Sequence, residues 1–117
     1  MLLEPIVEVF AFYAAIRNYS YIDRLANALD EVTAYEAVRD ALRDFYSQCV
    51  DRQDKCIEVS ESLKILCPEV ELGELERAVR DFLKRIEGKP GDVIVRETRE
   101  IALLALGRKP RLLERRC

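Results

Sequence analysis

Thr33-Ala34-Tyr35-Glu36-Ala37-Val38-Arg39-Asp40-Ala41-Leu42-Arg43-Asp44-Phe45-Tyr46-Ser47-Gln48-Cys49 carries two helical signals at once. Thr33 followed three residues later by Glu36 is a capping box, in which each side chain can satisfy a backbone N–H that a helix start leaves open. Behind it, Tyr35, Val38, Leu42, Phe45 and Cys49 step by three, four, three and four. That spacing keeps all five on one stripe, the seam of a helix packed at a shallow angle against its neighbours. Leu72, Leu75, Val79, Phe82 and Ile86 repeat the stepping on a second helix, which Gly88 stops. Within these two helices, Ala37–Leu42 and Ala78–Leu83 share a short sequence echo. It reads either as a duplicated unit or as two independent solutions to one amphipathic pattern.

Working outward, Pro5 can open a helix whose Ile6, Val7, Val9, Phe10, Phe12, Tyr13 and Ile16 cover almost every side. A helix apolar all round is either the centre of a core or buried by another subunit. Ser20 and Asp23 suit the cap and first turn of a short helix through Leu29. Asp92 caps a last helix running to Gly107, with Ile101–Leu106 apolar throughout, before Pro110 breaks the pattern. Between the two seam helices the period changes. Lys55–Val59 and Leu63–Cys67 flank Ser60-Glu61-Ser62, and alternation in the first run predicts a short β-hairpin. Pairing Val59 with Lys64 would set Cys56 opposite Cys67, a candidate cross-strand disulfide. The alternative for Ser60–Cys67 is a further helical turn ended by Pro68. The expected architecture is mainly α: one domain over residues 1–117, a bundle of four to five helices with a β-hairpin at 55–67 and a basic tail at 107–117.

Composition narrows the function. Of 117 residues, 50% are hydrophobic and 35% charged, a globular balance. There is no histidine, which removes the usual general base near neutral pH and the commonest metal ligand. No Gly-rich phosphate loop, nucleophile elbow or CxxC pair replaces it. Asp40 with Asp44, or Glu58 with Glu61, could pair as carboxylates, but they fall on charged faces where acid–base work has no desolvated cleft. Neither an enzyme nor a bound cofactor or metal is expected. Cys49, Cys56, Cys67 and Cys117 are spaced too irregularly for a zinc site, which leaves buried thiols or a disulfide. Many arginines with few Asn and Gln fit a thermophile or a biased base composition. No apolar run reaches the ~18 residues that span a bilayer. Glu4 and Glu8 interrupt the N-terminal apolar stretch, so no signal peptide and a cytoplasmic location are expected.

The basic residues fall into three groups. Arg39 and Arg43 lie one turn apart on the first seam helix; Arg77, Arg80 and Lys84 line a face of the second. Such rows can track phosphates without reading bases, or they can pair with the interleaved Glu36, Asp40, Asp44, Glu76 and Asp81. Arg108, Lys109, Arg111, Arg115 and Arg116 have only Glu114 beside them, a handle for a polyanion or a solubilising tail. Tyr19 and Tyr21 can stack on bases, anchor an interface or staple the second helix.

The motif Asn18-Tyr19-Ser20-Tyr21-Ile22-Asp23-Arg24-Leu25-Ala26-Asn27-Ala28-Leu29, preceded by Phe12-Tyr13 and followed by Ala37–Leu42, resembles the N-terminal part of the small subunit of archaeal type I-A CRISPR interference (Cascade-like) complexes. The resemblance implies a non-catalytic protein that polymerises beside its copies and other subunits of a ribonucleoprotein. It would brace guide RNA and single-stranded target DNA through phosphates while base pairing supplies specificity. Under that reading Arg39, Arg43, Arg77, Arg80, Lys84 and the five tail cations are the nucleic-acid candidates. Val9, Phe12, Tyr19 and Tyr21 are the interface candidates. A helical protein–protein adaptor with no nucleic-acid or membrane role is the alternative.

Overall fold

Asp30, rather than Thr33, opens the first seam helix: its side chain accepts a hydrogen bond from the Thr33 backbone N–H at 2.8 Å. Aspartate is at least as good a cap as threonine, and it lies upstream, so the helix starts at Glu31 and Thr33 sits inside its first turn. The computed structural model describes residues 4–50, 56–60, 63–67, 71–108 and 113–114. They form α1 (Glu4–Ala15), α2 (Ser20–Ala26), α3 (Glu31–Phe45), a π-turn (Tyr46–Val50), β1 (Cys56–Ser60) and β2 (Leu63–Leu66). α4 (Leu72–Ile86), α5 (Gly91–Gly107) and a short β3 (Leu113–Glu114) follow. The fold is mainly α, as the two seams required. No described helix is long and apolar enough to cross a membrane.

α1 is the centre of the core and packs against each of the other four helices. Residues Ile6 through Tyr13 are all buried, including Glu8. Phe12 meets Phe45 of α3 edge to face at 5.2 Å, and Tyr13 meets Tyr21 of α2 at 5.0 Å. Val9 (1% exposed) and Phe12 (0%) are therefore not available to a partner, which corrects their placement on an interface. A hydrophobic pattern reports that a residue is buried, not by what, and the other helices close over α1 on every side. α2 is capped from outside: the Asn18 side chain accepts from both the backbone N–H and the hydroxyl of Ser20, so Ser20 is the first helical residue and not the cap. α4 buries Leu75, Ala78, Phe82 and Ile86, most of its seam, while Leu72 stays 45% exposed.

The hairpin is present and antiparallel, and β3 adds to its other edge in the order β1-β2-β3. Leu113–Glu114, read as part of a basic tail, thus pairs with Lys64 and Ile65. At the turn, Ser60 pairs with Leu63, the expected register. An irregularity between Glu58 and Ser60 then absorbs one residue, so Glu58 faces Lys64 and Cys56 faces Leu66. With that slip Cys56 no longer stands opposite Cys67, the juxtaposition on which the Cys56–Cys67 bridge was predicted. Cys67 bonds instead to Cys49, with their Cα atoms 5.5 Å apart. Cys49 is the last position of the α3 seam, carried on the π-turn, so the bridge fastens the end of β2 to the helical core.

Candidate nucleic-acid interface

α3 and α4 lie side by side and leave a groove of about 320 Å³ between them. α3 contributes Tyr35, Arg39, Leu42 and Arg43; α4 contributes Leu72, Leu75, Glu76, Val79 and Arg80. Both sets recur at helical spacing, so each occupies a single face. Leu42 and Leu75 are buried and form the floor, with Val79 partly buried and Leu72 half open above them. Three arginines and one glutamate make the rim.

The rim arginines differ in how they are held. The Arg39 guanidinium lies over the Tyr35 ring, 5.5 Å from its centroid, and donates to Asp40 at 3.2 Å. Asp40 also accepts from Arg24 at 3.0 Å, and Arg24 lies over the Tyr21 ring at 5.8 Å. Rings and guanidiniums thus alternate along this flank, joined at one carboxylate. Burial acts to raise the Asp40 pKa, but the hydrogen bonds from Arg24 and Arg39 outweigh it and hold the carboxyl below its ordinary value. Asp44, a further acid of the row, faces inward, accepting from the Tyr13 hydroxyl at 2.8 Å and from Gln48 at 2.7 Å. It makes no ion pair with Arg43. Among the described residues neither Arg43 nor Arg80 makes an ion pair, and both are exposed. Their charge faces the groove's solvent.

The structure brings together Arg39, Arg43 and Arg80 from the predicted set. Arg77 and Lys84 are exposed on α4 but do not line the groove. Arg108 is engaged at the other end of the chain, donating twice to the Glu4 carboxylate, which holds the guanidinium above its already high ordinary value. Lys109, Arg111, Arg115 and Arg116 lie outside the described residues. Of the tyrosines, Tyr21 packs against Tyr13, and Tyr19 is 46% exposed. Among the described residues no group of three or more Cys, Asp or Glu side chains is placed to hold a metal ion.

Sequence reasoning missed the apolar floor, because Leu72 and Val79 sit on the seam and were read as core. It also left the α5 surface unassigned. Leu103 is 70% exposed, Leu104 43% and Leu106 52%, beside Arg96, Arg99 and Glu100. The uniformly apolar run Ile101–Leu106 was the available signal: a helix that buries one stripe must leave such a run's other residues in water.

The family model described as CRISPR-associated protein (Cas_Csa5) matches residues 9–108, from α1 through the end of α5. No curated protein and no solved structure gives a significant match.

Proposed function

The chain belongs to the CRISPR-associated Csa5 family, small subunits of type I-A CRISPR interference complexes, and from that premise we propose that it is a non-catalytic, cytoplasmic subunit that braces guide RNA and single-stranded DNA by their phosphates. The observation that carries the reading is the α3–α4 groove. Arg43 and Arg80 approach it from two helices with no ion-pair partner among the described residues, and Arg39 extends the row. Cations held without a counter-charge are repelled by one another and gain most from a polyanion. Sequence-independent contact of this kind suits a complex in which base pairing does the reading.

Self-association belongs to the same reading, on α5 rather than α1. The exposed Leu103, Leu104 and Leu106 form an apolar face that a second copy would cover. Asp92, Arg96, Arg99 and Glu100 beside it carry both signs along one helix.

The test is a competition assay on labelled single-stranded DNA and RNA at low salt. Unlabelled strands of unrelated sequence should compete equally, and Arg43→Gln with Arg80→Gln should weaken binding by about tenfold or more. Binding that is sequence-selective, or unaffected by the double substitution, would count against phosphate contact in the groove.

A further inference from the structure

We infer that the α3–α4 groove takes one unstacked base of a single strand, with the flanking phosphates held on Arg39, Arg43 and Arg80. This rests on the phosphate reading above and adds the substrate feature that the floor would recognise.

A track that met phosphates alone would need only charge. Leu42 and Leu75 close the bottom of this groove, and above them the partly buried Val79 and the 45% exposed Leu72 leave apolar surface open to solvent. Such a surface gains by covering itself with something flat and apolar. Its volume, about 320 Å³, is at the small end of ligand sites, the scale of a single nucleotide and not of a helical segment. The Tyr35 ring with the Arg39 guanidinium stacked over it supplies a flat wall, and nucleobases stack on both kinds of surface. The rim cations sit above that floor, where the backbone on either side of an inserted base would pass. A duplex cannot use the floor, because its bases are already stacked and only its backbone is presented. Among the described residues Glu76 is the lone acidic group lining the groove, and with the arginines engaged on phosphates insertion should be tolerant of sequence.

The experiment compares the full chain binding three labelled probes of equal length: a mixed-sequence single-stranded DNA, the same sugar–phosphate strand with abasic sites throughout, and the duplex. The abasic strand and the duplex should each bind about tenfold more weakly than the single strand, with the salt dependence of the abasic strand unchanged. Leu72→Ser, at an exposed position, should close part of that gap by weakening the normal strand while leaving the abasic strand as it was. Equal, salt-dependent affinity for normal and abasic strands would overturn base insertion and leave the phosphate contact standing. Loss of salt-dependent binding to every probe would overturn the phosphate reading and this inference with it. So would an oligomer that Arg43→Gln with Arg80→Gln dissociates, since the groove would then hold a second copy.

Discussion

Reducing the Cys49–Cys67 bridge should cost about 3 kcal/mol of stability. The two cysteines are 18 residues apart, and closing a loop of that length removes denatured-state entropy worth about 3 kcal/mol at room temperature. Both residues are buried, at 0% and 3% exposure, so the reduced thiols remain packed as small apolar groups and the loss is that of the cross-link itself. Against a total of roughly 5–15 kcal/mol for a small domain, this is a large share. For a chain of this size it lowers the melting midpoint by roughly 10–20 °C. The assay is thermal unfolding followed by circular dichroism with and without reductant, with intact mass confirming the redox state. Cys49→Ala should reproduce the reduced midpoint. Cys56→Ser should leave the Cys49–Cys67 bridge intact by mass, because that bridge does not use Cys56. Coincident oxidised and reduced midpoints would refute the reasoning, as would a peptide map that joins Cys56 to Cys67.

Other expectations follow from the same packing. Phe12→Ala should destabilise the isolated chain by about 3–5 kcal/mol in denaturant titration, since the ring is fully buried against Phe45; an interface residue would instead change only oligomer size. Burial, reinforced by the hydrogen bond to Asp44, raises the Tyr13 hydroxyl well above its ordinary value of 10.0. The folded state thus keeps a proton that the unfolded chain gives up. Its contribution is intact below pH 10 and lost as pH rises beyond it, so unfolding free energy should fall in the alkaline range, and Tyr13→Phe should flatten that fall. Leu103→Glu with Leu106→Glu should convert assemblies to monomers by light scattering with helicity unchanged, because both side chains already face water in the single chain.

The seams were legible because helical period is written directly into residue spacing: Val38, Leu42 and Phe45 face the core as their spacing requires, as do Leu75, Phe82 and Ile86. The surroundings of α1 were not. Phe12 and Val9 look the same whether another helix or another subunit buries them, and only the packing of α2, α3, α4 and α5 around them decides. The strand register was lost to a single irregularity between Glu58 and Ser60, which no alternation of side chains marks, and with it went the cysteine pairing. β3 is two residues long, too short to show a period within the basic tail.

The candidate site was half legible. Arg39, Arg43 and Arg80 stand out by charge, but which cations share a groove depends on how α3 and α4 abut. Arg77 does not line the groove although it lies one turn from Arg80. Asp44 looked like a neutralising neighbour of the arginine row until its bonds to Tyr13 and Gln48 turned it inward. The α5 leucines were visible as a run, yet exposure is a property of the packed helix and not of the run.

The central claim is that the groove arginines hold phosphates, and the slope of binding against salt tests it most directly. Each phosphate contact on a single strand contributes about 0.7 to the slope of log affinity against log salt, so three arginines account for about 2. Replacing Arg39, Arg43 and Arg80 together by glutamine should lower the measured slope by that amount while circular dichroism stays unchanged. A triple variant that binds single-stranded DNA with the wild-type slope would contradict the account.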